Sequence, residues 1–501
     1  MILQPSLSDF RLISHYTGRM LSALSLLFLI PLVTAALFHE WNVALDFVIG
    51  LNACFLIGGL FLATGKQSAG QLRWAHSMVV VSLTWLAATL VCAIPHYLSG
   101  HFCSYLDCVF DVMSGFTTTG LSLIQDMDHV SHGLNMWRHL LTFIGGQGMI
   151  ALVLTFLIKG TAGAYMMYAG EAKEERLLPN VIHTARAIWI ISMAYFVLGT
   201  ALLWVVLSWE GMQFPRNLLH ASWLTMSAWS TGGFAPQSQN IVYYHSILAE
   251  AVTVLIMIVG SLNFILHYTV WTGKIREMIK NIEVRSFSIT VAVSFALLIM
   301  ALGSLHIYAD VAGLFRRAAY ILVSGHTGTG LMNVYAFQLL RDWGPLSLLA
   351  VTIAMAIGGS ACSTCGGIKG LRMGLVAKGF YHEIKRLMLT ENTRFITTFH
   401  HIRDIILTDQ HVKMAGLILL AFVLLYFGGG LLGAYYGYPF VDALFESTSA
   451  GSTTGLSCGI TIPAMPAGLK LYYIFAMWAG RLEFIALFGL TAFVVSLVKR
   501  R

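Results

Sequence analysis

Long apolar segments, separated by shorter polar ones, dominate the amino-acid sequence. A helix that spans a membrane needs about 20 mostly apolar residues. Segments of that kind predict spans at 20–38, 43–64, 75–97, 137–158, 187–208, 244–271, 287–308, 343–376, 412–435 and 468–497. Four helical segments too short to cross a bilayer lie between them, at 103–115, 215–228, 311–325 and 439–450. The pattern predicts an all-α integral membrane protein with about ten transmembrane helices.

Composition agrees with this class, because 57% of the 501 residues are hydrophobic and only 11% are charged. No water-soluble core needs so much apolar surface. Residues 1–5 lack the basic start and the small-residue cleavage site of a removable signal peptide. We therefore expect the first span to direct insertion.

Basic residues concentrate in the two tails and in the loops that follow even-numbered spans, for example 274–285 and 378–403. Because basic loops remain on the cytoplasmic side, we expect both termini to be cytoplasmic. The net charge of +7 then indicates topology and contact with anionic membrane lipid, and no nucleic-acid partner. Two polar segments on the same side, 159–185 and 379–410, are either solvated connectors or a docking surface for a cytosolic regulator.

One short pattern, Ser-[Gly/Ala]-x-[Ser/Thr]-x-x-Gly-[Leu/Phe], occurs four times, each time directly after one of the short helices. The copies are 114–121, 227–234, 324–331 and 449–456. Four copies of one loop in a membrane protein indicate a single pore with pseudo-fourfold symmetry. The shared serine and hydroxyl positions select Gly233 over Gly232, and Gly330 over Gly328, as the equivalents of Gly120 and Gly455.

These loops have the chemistry of a filter for a monovalent cation. A dehydrated cation needs several inward-pointing carbonyl oxygens, and glycine adopts the positive φ angles that such a backbone visits. The loops contain no carboxylate, which argues against a divalent-cation site. The predicted filter residues are Thr118, Thr119, Gly120, Thr231, Gly232, Gly233, Gly328, Thr329, Gly330, Thr453, Thr454 and Gly455.

The loops also divide the chain. Residues 1–70 form two additional N-terminal transmembrane helices, and four repeats follow at 71–165, 166–280, 281–405 and 406–501. In each repeat a span precedes the short helix, and a second span follows the loop. A short helix followed by an extended return is a re-entrant segment, which is tolerated at membrane depth where it lines an aqueous cavity.

Three further segments accompany the filters: Trp137–Gly148, Ile357–Lys369 and Gly480–Glu483. With the four loops they make almost the whole chain resemble the Trk/Ktr/HKT superfamily of potassium transporters, in particular the membrane subunit of the bacterial Trk system. The resemblance implies potassium uptake across the inner membrane, driven by the membrane potential, with no cofactor bound by this chain. It also implies a homodimer and a cytosolic RCK/KTN-type nucleotide-binding regulator, because the chain has no nucleotide-binding loop of its own.

The segment 358–370 interrupts an apolar stretch with glycine, serine and threonine, and each glycine costs a helix about 1 kcal/mol relative to alanine. The resemblance implies an intramembrane gating loop here. It also implies that the charge at Arg481, which is expensive inside a membrane, faces the cavity beside this loop. The implied gating residues are Gly358, Gly359, Ser363, Thr364, Gly366, Gly367, Lys369 and Arg481.

Several alternatives remain open at the level of sequence. One alternative to the gating loop is a kinked helix at 358–370. The alternative for Arg481 is an ion pair with a carboxylate on another helix. Cys362 and Cys365 replace two glycines usual in the family, and their Cys-x-x-Cys spacing is a weak redox or metal pattern.

Other functions remain open as well. One alternative function is that of a sodium-conducting member of the superfamily, or of a member coupled to protons or sodium. A non-transporting sensor is another possibility. A membrane enzyme would use His139, Asp111 or His400 and His401, but it gives no reason for four matching loops.

Overall fold

The computed structural model of the chain describes residues 6–65, 72–124, 126–149, 151, 167, 181–390 and 395–498. Within them the protein is almost entirely helical, which confirms the predicted fold class. Six helices in the described ranges are long and apolar enough to span a membrane, and two bent helix pairs also qualify if each counts as one span. Most of the polar segment 159–185, and the end of the predicted span at 137–158, lie outside the described residues.

The N-terminal span begins earlier than predicted. Helix α1 (Leu7–Leu24), a 3-10 turn (Ser25–Phe28) and α2 (Leu29–Leu37) form one continuous span, so the predicted start at residue 20 is wrong. Polar residues in its first turns lower the hydropathy there, but these turns pack against α3 (Trp41–Thr64). Burial against a neighbouring helix therefore extends the span beyond its apolar part.

The helices that follow are grouped by the four predicted repeats, and each group contains one of the predicted short helices, called its pore helix below. The first repeat consists of α4 (Trp74–Cys92), α5 (Ile94–Leu98), the pore helix α6 (Tyr105–Phe116) and α7 (His132–Gln147). The second consists of α8 (Val181–Trp209), the pore helix α9 (Arg216–Trp229), a 3-10 turn (Asn240–Tyr244), α10 (Ile247–Gly260), α11 (Phe264–Trp271) and α12 (Arg276–Lys280).

The third repeat consists of α13 (Ile282–Leu305), the pore helix α14 (Val311–His326), α15 (Ala336–Arg341), α16 (Gly344–Ile357) and α17 (Gly370–Leu387). The fourth consists of α18 (Asp409–Tyr435), the pore helix α19 (Phe440–Gly451), α20 (Ala467–Arg481) and α21 (Ile485–Val498). All four predicted short helices are present, each within a few residues of the predicted bounds.

In the second, third and fourth repeats the described second span is interrupted, although the sequence predicted an interruption only at 358–370. Helices α10 and α11 meet at 99°, and α20 and α21 meet at 111°, so the predicted spans at 244–271 and 468–497 are each a bent pair of helices. Helix α7 ends at Gln147, before Gly148 with φ 97°.

Close approach to the pore helices explains where these breaks fall. A β-carbon at Gly145, Gly260 or Gly480 would overlap the carbonyl oxygen of Phe116, Trp229 or Gly451, which all lie at or beside a pore-helix C-terminus. Only glycine lets the two backbones lie so near each other.

A small antiparallel hairpin, β1 (Thr398–His401) and β2 (Arg403–Ile406), lies between α17 and α18. Thr398 pairs with Ile406, and His401 with Arg403. Phe399 packs with Ile282, Leu375 and Ala415 in a small core of its own. The described part of the polar segment 379–410, expected to be either a connector or a docking surface, therefore contains a hairpin that packs on α13, α17 and α18.

Candidate cation pathway

The four loops repeat one hydrogen bond. In each loop the backbone N–H of the residue before the last glycine donates to the carbonyl of the initial serine at 2.8 Å. The pairs are Thr119 with Ser114, Gly232 with Ser227, Thr329 with Ser324, and Thr454 with Ser449. This bond turns the chain back at the end of each pore helix.

The backbone angles fix the register of the loops. Gly120, Gly233, Gly330 and Gly455 have φ angles of 86°, 72°, 84° and 91°. Two positions earlier, Thr118, Thr231, Gly328 and Thr453 have φ angles of 56°, 52°, 68° and 53°. Gly328 is therefore equivalent to three threonines, and Gly330 is equivalent to the other filter glycines, as the sequence pattern predicted.

Hydroxyl groups fasten the loops from within. Thr117 donates to the carbonyl of Met113 at 2.7 Å, and its oxygen lies 2.8 Å from Thr119 Oγ1. The third loop repeats both contacts with Thr327 and Thr329, and in the fourth loop Ser452 lies 2.7 Å from Thr454 Oγ1. These hydroxyl groups thus bond within their own loops.

The four glycines form a closed ring. A β-carbon on Gly120 would lie 2.6 Å from the carbonyl oxygen of Gly232 and 2.8 Å from Cα of Gly233. A β-carbon on Gly233 would overlap the carbonyl of Thr329, one on Gly330 that of Thr454, and one on Gly455 that of Thr119. Each loop therefore packs against the next, and the fourth packs against the first. The twelve predicted filter residues belong to these four loops, and the described helices α6, α9, α14 and α19 all end at the ring.

The interrupted segment of the third repeat lies directly against this ring. Thr118 Oγ1 donates to the carbonyl of Thr364 at 3.4 Å, and Thr231 Oγ1 lies 3.1 Å from Thr364 Oγ1. A β-carbon on Gly328 would lie 3.5 Å from Cβ of Cys365, and one on Gly366 would overlap Thr453 Oγ1. Residues 364–366 thus contact the same position in all four loops.

The interrupted segment comprises residues 358–369. Its first half is bonded mainly to the second repeat. Ser360 N–H donates to the carbonyl of Ser261 at 3.0 Å, and Phe264 N–H donates to that of Cys362 at 3.3 Å. Thr364 Oγ1 donates to the carbonyl of Gly260 at 2.9 Å. These bonds, with positive φ at Gly358, Cys362 and Gly367, show a looped backbone in place of the alternative kinked helix.

Glu483 holds the second half of the segment, a role that sequence reasoning missed. Its carboxylate lies 3.1 Å from Lys369 Nζ and also pairs with Arg372. Lys369 Nζ donates in addition to the carbonyl of Cys365 at 2.8 Å. Glu483 lies in the break between α20 and α21, so this break in the fourth repeat positions the loop of the third.

Arg481 bridges three elements beneath the ring. Its Nη1 donates to Thr118 Oγ1 at 3.2 Å and to the carbonyl of Thr364 at 2.5 Å. Its Nη2 donates to the carbonyls of Gly145 and, at 3.1 Å, Gly146. The guanidinium therefore lies between the first filter loop, the interrupted segment and the break that follows α7, where it adds a positive charge directly below the ring.

Buried carboxylates on two of the pore helices bind the chain that follows their loops. Asp111 accepts from Arg138 Nε at 3.0 Å and from Ser122 Oγ at 2.6 Å, and His96 Nε2 lies 3.2 Å away. Glu446, at the same position of the fourth pore helix, accepts from Ser457 Oγ at 2.7 Å and from the N–H groups of Cys458 and Thr461 at 3.0 Å. Both carboxylates therefore bind residues of the segment that follows the last glycine of their loop.

The residues of the enzyme alternative are not brought together. Asp111 is bonded to Arg138, and His139 stacks on Trp223, whereas His400 contacts Glu277 and Asp404 near the hairpin. Among the described residues, no group of three or more His, Cys, Asp or Glu side chains is placed to hold a metal ion.

The seven cysteines all lie within the described ranges, and none of them is joined in a disulfide, Cys362 and Cys365 included. Both are buried in the interrupted segment, and Cys365 Sγ lies 2.8 Å from Ser363 Oγ.

Fold and site together define a class: an α-helical membrane protein in which four re-entrant loops form one ring, with an intramembrane segment against one end of it. The family model of the TrkH cation transport proteins matches residues 44–496. The chain therefore belongs to the TrkH family of cation transport proteins, and it is a transporter and not an enzyme.

Several known proteins are similar over most of the chain. An uncharacterised cation transporter of Methanocaldococcus jannaschii is 30% identical, over 97% of this chain and 96% of that protein. The Trk system potassium uptake protein TrkG of Escherichia coli (strain K12) is 28% identical, over 95% and 96%. The Trk system potassium uptake protein TrkH of Halomonas elongata is 26% identical, over 75% and 77%.

A solved structure has the same fold. The crystal structure of the potassium transporter TrkH from Vibrio parahaemolyticus matches 96% of this chain, and 98% of that chain, with a TM-score of 0.81 at 22% sequence identity.

Proposed function

We propose that this protein takes up potassium through the ring formed by the four loops. The observation that carries the proposal is the closed contact of Gly120, Gly233, Gly330 and Gly455, each against a backbone carbonyl of the next loop. Carbonyl oxygens converging from four sides replace the hydration shell of a monovalent cation. Two of the most similar relatives are potassium uptake proteins by name, which supports potassium as the ion.

The four pore helices add to the attraction. Each ends at the ring, and the C-terminal end of a helix carries partial negative charge, which favours a cation. We propose that the twelve predicted filter residues supply the carbonyl oxygens, and that no cofactor takes part. The membrane potential, at about 2.3 kcal/mol per elementary charge per 100 mV, is the driving force.

We propose that the interrupted segment is the gate. Residues 364–366 contact all four filter loops, so an ion leaving the ring meets them first. The charge of Arg481 lies at the same level and raises the energy of a cation there. Conduction then requires Thr364 to separate from the ring, and the glycines at 358, 359, 366 and 367 provide a backbone able to move.

The orientation and organisation of the protein are part of the same proposal. The basic loops, and with them both termini and the hairpin, face the cytoplasm. Residues 1–70 precede four repeats at 71–165, 166–280, 281–405 and 406–501. The protein works as a homodimer in the inner membrane, and a cytosolic nucleotide-binding regulator of the RCK/KTN type docks on its basic face.

Uptake by potassium-transport-deficient bacterial cells tests this function. The intact protein should restore growth at low external potassium when the cognate regulator is present. Gly120→Ser should lose the preference for potassium over sodium, because its β-carbon meets the carbonyl of Gly232. Gly100→Ser is the matched control, because Gly100 also has positive φ but lies in open space.

Each outcome is informative. Rescued growth with unchanged selectivity in Gly120→Ser would show that the ring is not the filter. Sodium uptake by the intact protein, with potassium failing to compete, would favour the sodium-conducting alternative.

A further inference from the structure

A buried carboxylate holds the first half of the gating loop, as Glu483 holds the second. Glu283 is fully buried near the start of α13. Its Oε1 accepts the backbone N–H of Ala361 at 2.7 Å, and its Oε2 accepts from Asn263 Nδ2 at 3.3 Å. One side chain therefore fastens the gating loop to the break between α10 and α11.

Glu283 is itself positioned from the hairpin side. Its backbone N–H donates to Asn281 Oδ1 at 2.8 Å, which makes Asn281 the N-cap of α13. The amide nitrogen of the same Asn281 lies 3.4 Å from His401 Nδ1, at the end of β1. An unbroken series of contacts thus runs from the hairpin through Asn281 and Glu283 to Ala361 in the loop.

The hairpin has two further attachments at this point. His400 Nε2 lies 2.8 Å from Glu277 of α12, and Phe399 packs on Ile282, between Asn281 and Glu283. A force that lifts the hairpin off α13 therefore acts directly on the residues that flank the carboxylate. The two strands of the hairpin are paired along their whole length, from Thr398 with Ile406 to His401 with Arg403.

We propose that Glu283 is the positioning residue through which the hairpin Thr398–Ile406 controls the gating loop. With the hairpin docked, the carboxylate holds Ala361 and keeps Thr364 against the filter. When a regulator displaces the hairpin, the cap at Asn281 shifts, the hydrogen bond to Ala361 is lost, and the loop is released. This inference rests on the gate proposed above, and it adds the route by which the cytoplasmic side reaches that gate.

Cys365 provides a readout of loop position that does not depend on transport. Its side chain is buried against the filter, so a water-soluble maleimide should label it only when the loop moves away. Mass spectrometry of the digested protein assigns label to each cysteine separately. Cys54 and Cys92, buried elsewhere, report any general loss of structure.

We expect Glu283→Ala to increase the rate of Cys365 labelling in the purified full-length protein roughly tenfold, the effect of losing a hydrogen bond to a charged acceptor. Glu283→Gln, which keeps an acceptor for the Ala361 N–H, should restore most of the protection. Asn281→Ser keeps a capping oxygen but loses the amide that reaches His401, so it should also increase labelling. Asp9→Asn is the control, because Asp9 likewise accepts a backbone N–H, that of Ser6, far from the loop.

The inference is overturned if Cys365 labelling is unchanged in Glu283→Ala, or if it rises only together with that of Cys54 and Cys92. Potassium flux into liposomes separates this result from the proposed function. Absence of flux in every variant would refute the proposed function while the labelling still decides the role of Glu283. Normal flux with unchanged labelling would refute the role of Glu283 alone.

Discussion

Lys470 of the fourth repeat and Asp107 of the first form a buried ion pair, with Nζ 2.5 Å from Oδ1. Lys470 also donates to the carbonyl of Pro463 at 2.8 Å. Asp107 belongs to the first pore helix and Lys470 to α20, so the pair joins the two repeats that are most distant in sequence. It fastens the ring of repeats at the same junction where Gly455 packs against Gly120.

Removing one partner of this pair should be costly, because the other charge then remains buried. We expect Lys470→Met to lower the free energy of unfolding by about 3–5 kcal/mol, and the double variant Lys470→Met, Asp107→Leu to recover most of that loss. Titration with denaturing detergent in mixed micelles measures both. The exposed pair Arg386 and Glu383 is the control, and its loss should change stability by less than about 1 kcal/mol. Equal loss in the single and double variants would contradict this account of the junction.

The two glycines of the third filter loop should respond differently to substitution. Gly328 stands where the other loops have threonine, and a β-carbon there meets no atom closer than 3.5 Å. A β-carbon on Gly330 would overlap the backbone carbonyl of Thr454. We expect Gly328→Thr to retain rubidium uptake, at a cost of about 1–2 kcal/mol for the left-handed backbone, and Gly330→Ala to abolish it. Similar uptake by the two variants at equal protein amounts would show that the register is wrong.

Arg481 should restrain the gate through its two separate nitrogens. Arg481→Lys keeps the charge but has one terminal nitrogen, which cannot reach Thr364 and Gly146 together. We expect faster rubidium flux into proteoliposomes at fixed voltage, with the preference between potassium and sodium the same as in the native protein, because the proposed filter is unchanged. Arg341→Lys, at an exposed position, should behave as the native protein. A slower flux in Arg481→Lys would indicate that the guanidinium helps to conduct.

Attachment of the hairpin should depend on pH. Hydrogen bonds to Glu277 and Asp404 raise the pKa of His400 above its ordinary value near 6.5. Protonated His400 therefore stabilises the attachment of the hairpin. This stabilisation is complete below the ordinary pKa of His400 and is lost as the pH rises through its raised pKa. Trypsin should cleave at Arg403 more slowly in the native protein than in His400→Gln at acidic pH, and this difference should vanish at alkaline pH. His306→Gln, remote from the hairpin, should be cleaved like the native protein at every pH. A difference in cleavage rate between the native protein and His400→Gln that grew with pH would refute the argument.

The sequence was sufficient for the repeated parts of the molecule. Four matching loops after four short helices predicted the register of Gly233 and Gly330, since a shared motif places every copy in the same environment. The interruption at 358–370 was also predictable, because so many glycine and hydroxyl residues are incompatible with a continuous helix.

The remaining breaks were not predictable from hydropathy, which records how apolar a segment is and not its direction. Gly145, Gly260 and Gly480 follow their filter glycines at similar intervals, and comparing the repeats at that position would have found them. The partners of Glu483 and Glu283 could not be inferred at all, because the partner residues lie far away in sequence. Their contacts depend on how the repeats pack. The hairpin was missed because each of its strands is only four residues long.

The contact between Gly455 and the first loop also constrains how the protein is made. The ring closes only when residue 120, synthesised early, meets residue 455, near the end of the chain. We therefore expect the ring to remain incomplete during synthesis until the last repeat has been inserted. A chain truncated before residue 449 should consequently lack the closed ring on which the proposed filter depends.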